Sequence, residues 1–303
     1  MEKLKYHLLA LLATTLVAGS FLASEKLAGI INPFSLTLLR FTGAALILLP
    51  IILSNPKWRV KILPTMPRAM IVSLFYASFF IGFFESLNFT TSLNTGTLFT
   101  MMPLITALLS IIAFRESISG KQIIVYILGF AGTTWVIFNG QLQLLLAFSL
   151  NKGDFIFMAA ILFMALYSIS MKFLYRNDDM IVLAFCTLIG GSFWMMLAIL
   201  ISGQPLQWQL IRSDAIFHMA YLIIGATLAT IYLYQVTTIA LGPNRVSAYI
   251  YLNPALVAIM LLVFDGKSLS LTLLPGIFMS LIATIILQSR NSNDATSTLG
   301  KKA

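Results

Sequence analysis

The stretch SLNFTTSLNTGTLFTMMPLITALLSIIAFRE, Ser86 to Glu116, decides the fold of this 303-residue chain. It begins with small polar residues, becomes apolar, carries Pro103 in the middle of the apolar run and ends on an Arg-Glu pair. The pattern returns from Ala240 to Lys267 as ALGPNRVSAYIYLNPALVAIMLLVFDGK, where Pro254 follows Pro103 by 151 residues. A repeat of this length predicts two copies of one unit, each about half the chain.

Composition indicates that the repeated unit lies in a membrane. The chain is 59% hydrophobic and 10% charged, whereas a soluble domain is about 45–50% apolar and roughly 25% charged. Its apolar runs reach about 20 residues, the length that a helix needs to cross a bilayer, while a barrel strand needs only about 9–11. We therefore expect an all-α membrane protein.

Pro, Gly, Asn and charged residues divide the apolar sequence into ten predicted membrane spans. Five belong to a first repeat, residues 7–140, and five to a second repeat, residues 153–290, and the polar tail 291–303 is expected to be disordered. The predicted spans are 7–26, 33–54, 68–88, 94–114, 121–140, 153–174, 180–202, 214–238, 245–264 and 270–289.

The first span has an alternative interpretation as a signal peptide. Lys3 and Lys5 precede an apolar core, and small residues follow near Ala23. Cleavage there would leave nine helices and remove the counterpart of the sixth span. Because the segment is long enough to cross the bilayer, we expect it to remain as the first helix.

Basic residues predict the orientation of the ten helices. Lys26, Lys152, Arg212 and Lys267 fall on one side of the membrane, Arg40 lies inside a span, and the other 14 of the 19 Lys and Arg residues fall on the opposite side. The positive-inside rule then predicts that both chain ends are cytoplasmic. Since five is an odd number, the second repeat enters the membrane inverted, an arrangement found in many secondary transporters.

Several classes of function lack the residues that they would need. Cys186 is the single cysteine and the two histidines are His7 and His218, so we expect no internal disulfide, no zinc or haem site and no cofactor. The basic residues are scattered through short loops, so nucleic-acid binding is not expected. A P-loop is absent from the sequence, and ATP is therefore not expected to drive the protein directly.

Longer motifs resemble those of the drug/metabolite transporter superfamily, EamA type. They are PFSLTLLRFTGAALIL (33–48), the stretch 86–110 with the Arg-Glu ending at Glu116, GFAG (129–132), the Gly153-Asp154 start, 240–260 and the Pro275-Gly276 run. The resemblance implies a ten-helix inner-membrane transporter of bacteria that exports a metabolite, an amino acid or a drug. The first helix lacks the Trp common in that family, and Lys267 stands where the second copy would match Glu116.

Ionisable residues inside a span are functional candidates, because inserting an Arg at the centre costs about 2.5–3.5 kcal/mol. Arg40 lies about two turns from the start of the second span, and Glu85 lies about one turn from the end of the third. The two are at similar depth and are expected to pair across a water-filled vestibule. Arg40 would then anchor a substrate carboxylate or serve as the counter-ion of Glu85, and Glu85 would bind a proton or a cation. The alternative is an ion pair that only fixes helix register.

Polar and aromatic side chains at helical spacing predict the rest of a substrate site. In the fourth span, one stripe of small residues favours close helix packing and not substrate binding: Gly96, Thr100, Pro103, Ala107 and Ser110. The tyrosines could alternatively belong to interfacial belts. The expected substrate-binding residues, besides Glu85, are Asn94 and Thr97 in the fourth span, Tyr232 and Gln235 in the eighth, and Tyr251 and Asn253 in the ninth.

Pro103 and Pro254 each remove one intrahelical hydrogen bond near the middle of the membrane. They are expected either to act as hinges that swing the two halves or to be fixed kinks.

Together the residues favour a secondary transporter whose partners are a small-molecule substrate, the lipid bilayer and, if Glu85 titrates, protons. The alternatives are a passive channel or facilitator, and an intramembrane enzyme or lipid-handling scaffold. Enzymatic activity is not expected, because paired Asp, Ser-His or His-Glu-x-x-His groups do not occur in the spans. The sequence allows a monomer or a homodimer.

Overall fold

A computed structural model describes residues 2–27, 30–90, 92–116, 118–148, 150–211, 215–266 and 270–289. All elements in these ranges are helices or turns, so the all-α prediction is confirmed. The predicted disordered tail, 291–303, lies outside the described residues.

Ten helices in the described ranges are long and apolar enough to cross a membrane, as predicted. Each lies within a few residues of its predicted span, with one exception in the third. In chain order the first to tenth helices span Leu4–Ser24, Pro33–Ser54, Pro56–Leu87, Asn94–Phe114, Gly120–Ile137, Lys152–Phe173, Met180–Ser202, Ile216–Leu241, Pro243–Phe264 and Leu271–Gln288.

The third helix begins at Pro56 and runs for 32 residues, which makes it about 48 Å long against a hydrocarbon core of about 30 Å. The predicted start at 68 was wrong, because basic residues and two prolines suggested a loop. Asn55 caps the helix by accepting from the Lys57 amide at 3.0 Å, and Pro56 occupies the first turn, where its missing N–H costs nothing. The helix is therefore longer than a perpendicular crossing of the hydrocarbon core requires.

The fourth and ninth helices are both interrupted at corresponding places. The fourth consists of Ser92–Phe99 and Met102–Phe114, and the ninth of Pro243–Ala248, a 3-10 turn Tyr249–Leu252 and Asn253–Asp265. Pro103 and Pro254 each lie in the first turn after the interruption. A proline is tolerated there, because the backbone N–H of a first turn has no intrahelical partner.

The eighth helix changes its winding in the middle. A π-helical turn, Ile224–Ala229, joins the α-helical parts Ile216–Ile223 and Thr230–Leu241. Such a turn inserts an extra residue, redirects the side chains that follow and is frequent at functional sites.

Packing between the two halves follows a regular pattern. The third helix packs on the sixth and seventh, and in the same way the eighth packs on the first and second. The fourth packs on the sixth as the ninth packs on the first, and the second–seventh, fourth–ninth and fifth–tenth pairs are also in contact. If the first helix is exchanged with the sixth, the second with the seventh and so on, the same set of contacting pairs results.

Candidate functional site

The Arg40 guanidinium lies between the second and eighth helices. Its Nε donates to Thr227 Oγ1 at 3.0 Å and its Nη2 donates to the Ala226 carbonyl at 3.3 Å. Both acceptors belong to the π-helical turn. Arg40 is 8% exposed and Thr227 is fully buried, so the charge is held inside the protein by the redirected backbone of the eighth helix.

Aromatic rings line the side of Arg40 that faces the third helix. The guanidinium carbon lies 5.8 Å from the centre of the Phe80 ring, within the range of a cation–π contact. Tyr76 contacts Phe80 at 5.2 Å between ring centres, Phe41 at 5.3 Å and Tyr167 of the sixth helix at 4.7 Å. The rings connect the two halves of the chain through apolar surface beside a buried cation.

Gln235 lies two turns further along the eighth helix and is fully buried. Its Nε2 donates to Thr187 Oγ1 of the seventh helix at 3.0 Å. Its Oε1 has no hydrogen-bond partner among the described residues. A buried acceptor without a partner costs about 1–3 kcal/mol, so this atom is suited to accept a hydrogen bond from a bound molecule.

The expected ion pair between Arg40 and Glu85 is wrong. Arg40 turns to the eighth helix, because the π-helical turn offers it a carbonyl and a hydroxyl. Glu85 is half-buried and accepts a hydrogen bond from Asn88 Nδ2 at 3.4 Å, one turn further along. The structure therefore does not bring these two charges together around a vestibule.

Asn94 contacts a carboxylate that the sequence reasoning missed as a site residue. Its Nδ2 lies 3.2 and 3.1 Å from the two oxygens of Asp154, which is fully buried at the start of the sixth helix. Asp154 also forms a capping box with Asn151 and accepts from the Thr90 hydroxyl. The spacing Asn151-x-x-Asp154 is the sequence signal that could have found this cap. Thr97 is also buried, at 2% exposure.

The remaining predicted residues do not share one enclosed pocket. Tyr232 is 41% exposed, unlike Gln235 on the same helix. Tyr251 is fully buried, and its hydroxyl donates to the Tyr126 carbonyl of the fifth helix at 3.0 Å. Asn253 is buried at the interruption of the ninth helix, and its Oδ1 has no hydrogen-bond partner within the described ranges. The polar groups thus extend along the interface between the halves.

Two small apolar cavities lie away from Arg40. One, of about 270 Å³, lies between the fifth and tenth helices, and a smaller one of about 90 Å³ lies beside the interruption of the fourth. Phe130 lines both. Their apolar walls offer little to a polar solute.

Neutral hydrogen bonds at one end of the bundle form a cluster that we call the Asn32 latch. It joins the connection between the first and second helices to the connection between the seventh and eighth. Asn32 donates from its amide to Gln207 Oε1 at 2.9 Å and from Nδ2 to Gln204 Oε1 at 2.6 Å. The Ser35 hydroxyl donates to the Leu206 carbonyl, and Trp208 Nε1 donates to the Ser35 carbonyl at 3.1 Å.

Ion pairs at the opposite end form a cluster that we call the Asp178 latch. It joins the connection between the sixth and seventh helices to the extension of the third. Arg68 binds Asp178 with both terminal nitrogens, at 2.9 and 2.8 Å, and donates to the Leu174 carbonyl at 3.2 Å. Lys61 binds Asp179 at 2.7 Å. The Asn32 latch joins the first–second and seventh–eighth connections. Five helices along the chain, these correspond to the sixth–seventh and second–third connections, which is where the Asp178 latch lies.

Comparisons with known proteins agree with this architecture. Across 93% of this chain and 96% of the other, a crystal structure of a protein 18% identical superposes with a TM-score of 0.78. The chain is 22% identical over 207 residues, 68% of each sequence, to the uncharacterized transporter YyaM of Bacillus subtilis (strain 168).

A second relative is an uncharacterized transporter of Methanothermobacter thermautotrophicus (strain Delta H). It is 28% identical over 121 residues, which are 40% of this chain and 35% of that one. The profile of the EamA-like transporter family matches residues 4–138 and again residues 151–288. With both matches inside the ten-helix fold, this multi-pass membrane protein belongs to the EamA-like transporter family, within the drug/metabolite transporter superfamily.

Proposed function

We propose that this protein is a secondary transporter that moves a small metabolite, an amino acid or a drug across the cytoplasmic membrane of a bacterium by alternating access. Family membership supports a transporter. The observation that carries the mechanism is the pair of latches, which close opposite ends of the bundle at equivalent places in the two halves. A carrier needs two such gates, one of which opens while the other stays closed.

The two halves are proposed to be inverted repeats, residues 7–140 and 153–290. The exchange of each helix with the one five places along preserves the main packing pairs, which supports two copies of one unit. Five crossings per copy reverse the second copy, so the latches would lie on opposite sides of the membrane. The Asp178 latch, rich in Lys and Arg, would be cytoplasmic together with both chain ends.

Burial at the centre favours a carrier over a passive channel. Arg40 is 8% exposed and Gln235 is fully buried, and both ends are latched. A solute could reach these residues only after one latch opens. Export is the proposed direction, and a proton gradient acting through Glu85 is the proposed driving force.

Counterflow in proteoliposomes tests the proposal. Vesicles are loaded with an unlabelled candidate solute, and uptake of the labelled solute is followed with and without the internal load. A carrier shows faster labelled uptake when the solute is present inside, because the loaded carrier returns faster than the empty one. Equal uptake with and without the load would indicate a channel and contradict the proposal.

The same vesicles test the coupling. If protons drive transport through Glu85, an imposed pH gradient changes the initial rate in the wild type and leaves Glu85→Gln unaffected. Glu85 is half-buried and bonds only to Asn88 among the described residues, so the amide is expected to fold normally. A gradient effect that survives in Glu85→Gln would exclude this role.

Topology reporters test the orientation. A periplasmic-active and a cytoplasmic-active reporter are fused in turn to the C-terminus, and a tag is placed at the N-terminus. Both ends are expected to be cytoplasmic. Ends on opposite sides would rule out five crossings per half.

A further inference from the structure

We infer that Arg40 is the anion-binding group of the solute site and that the transported solute carries a carboxylate beside an apolar or aromatic body. This rests on the proposed transport function and deepens it. Four features carry the inference. Thr227 and Ala226 occupy one edge of the guanidinium, and no carboxylate that the structure describes pairs with it. Aromatic rings lie beside it, and Gln235 Oε1 has no hydrogen-bond partner among the described residues.

The guanidinium is oriented so that one of its two forks stays available. Thr227 and Ala226 occupy the edge formed by Nε and Nη2. Nη1 makes no hydrogen bond to the described residues, and Nη2 has a second N–H. These two nitrogens form the end-on fork of the side chain, whose spacing matches the two oxygens of a carboxylate.

None of the five carboxylates whose side chains the structure describes pairs with this buried charge. Asp178 and Asp179 bind Arg68 and Lys61, and Asp154 is held by Asn94, Thr90 and its own cap. Glu116 accepts from Asn244 at 2.6 Å, and Glu85 accepts from Asn88.

A cation buried without a counter-ion is costly, and buried charges in proteins are normally paired. An anionic solute would supply the missing charge.

The surroundings define the rest of the solute. Phe80 and Tyr76 form an apolar wall beside the guanidinium. Tyr167 packs against Tyr76, and a side-chain hydrogen bond links Tyr167 to Gln235. The free Oε1 of Gln235 accepts hydrogen bonds only. It lies eight residues from Thr227 along the same helix, roughly 12 Å. A solute with a carboxylate at one end, an apolar body and a hydrogen-bond donor at the other end would contact Arg40, the aromatic wall and Gln235.

Ligand-dependent thermal unfolding of the detergent-purified protein tests the inference. The probes are matched sets of a carboxylate, its primary amide and its amine, built on benzyl, phenylethyl, isobutyl and n-butyl skeletons, each with and without a terminal hydroxyl. At least one carboxylate is expected to raise Tm by about 2 °C or more when present well above its Kd. Its amide and its amine are expected to leave Tm unchanged.

Variants identify the group responsible. Arg40→Gln is expected to abolish the Tm rise, and Arg40→Lys, which keeps the charge but loses the fork, to weaken binding by about tenfold or more. Arg176→Gln removes an exposed guanidinium that donates only to the Tyr175 carbonyl among the described residues, and it keeps the backbone bond from Arg176 N to Asp178. The Arg176→Gln protein should therefore show the same carboxylate-dependent rise in Tm as the wild type. If Arg40→Gln does not fold, the Arg40→Lys titration and the wild-type probe series still decide the question.

The inference is overturned if no carboxylate stabilises the protein more than its amide, or if the shift persists in Arg40→Gln. Its failure can be told apart from failure of the transport proposal. Counterflow of a neutral or cationic solute would keep the carrier and reject the anion site. Carboxylate binding through Arg40 without counterflow would keep the site and reject the carrier.

Discussion

Two glutamines offer a matched test at the scale of single residues. Gln235 and Gln288 each have a buried Oε1 without a hydrogen-bond partner in the part of the chain that the structure describes, but only Gln235 lies in the proposed solute path. Gln235→Met should change the free energy of unfolding by less than about 1 kcal/mol, because removal of an unsatisfied acceptor offsets the loss of the hydrogen bonds to Thr187 and Tyr167. It should abolish counterflow, while Gln288→Met should leave counterflow intact.

Thermal unfolding and vesicle uptake of both variants check this. Thr187 still donates to the Leu183 carbonyl at 2.7 Å after the change, while the buried Tyr167 hydroxyl loses its hydrogen bond to Gln235. A Gln235→Met protein that transports at the wild-type rate would remove Gln235 from the solute path.

At this scale the sequence predicted which residues are unusual better than it predicted their partners. Arg40 was recognisable because a charge inside a span is costly. Its partners were not, since Ala226 and Thr227 face it only through the π-helical turn. The segment IGATLA has no Pro or charge that would mark a change of winding.

At the scale of helices, the contact between the fifth and tenth helices at Gly132 gives a testable prediction. A Cβ on Gly132 of the fifth helix would lie 2.7 Å from the Ser280 nitrogen and 2.8 Å from the Gly276 oxygen of the tenth, whereas a Cβ on Gly96 would meet no atom within 4 Å. Gly132→Ala should therefore lower the free energy of unfolding by about 1–3 kcal/mol through overpacking. Gly96→Ala should raise it by up to about 1 kcal/mol.

Unfolding curves of the two variants in one detergent measure the difference. Equal stability would mean that the fifth and tenth helices are not in close contact. The small-residue stripe of the fourth helix thus predicted close packing wrongly at Gly96, although Pro103, Ala107 and Ser110 in the same stripe are buried.

The paired prolines are tested together. Pro103 and Pro254 begin the second part of two interrupted helices. If the interruptions are hinges, Pro103→Ala and Pro254→Ala should each slow counterflow several-fold, because a continuous helix resists bending. The amount of protein in the membrane should not change. Undiminished flux in the double variant would show that the prolines are fixed kinks.

Element boundaries were predictable wherever apolar length alone decided them. The third helix was the exception, since Lys57, Arg59 and Pro64 in a hydrophilic stretch suggested a loop. The cap by Asn55 and the contacts of Lys61 and Arg68 with the sixth–seventh connection stabilise the helical extension instead. Those long-range partners are not visible in a local pattern.

The whole molecule was predictable to the level of ten helices, because bilayer thickness sets the length of the apolar runs. The two latches were not predictable, since each joins residues more than 100 positions apart. They differ in chemistry. The Asp178 latch is ionic and should weaken with rising salt, while the Asn32 latch, built from neutral groups, should not.

Electron–electron distance measurements across both latches test the central claim most directly. In a Cys186→Ala background, one spin-label pair is placed at Arg59 and Asn177 beside the Asp178 latch, and another at Pro33 and Gln209 beside the Asn32 latch. All four positions are exposed. Arg68→Gln removes both Arg68 bonds to Asp178 and is expected to open the Asp178 end.

If the protein alternates access, Arg68→Gln lengthens the distance between the labels at the Asp178 end and leaves the Asn32 pair at its short distance. Asn32→Ala does the reverse. An increase of both distances in the same variant, or no change in either, would contradict alternating access between two equivalent gates.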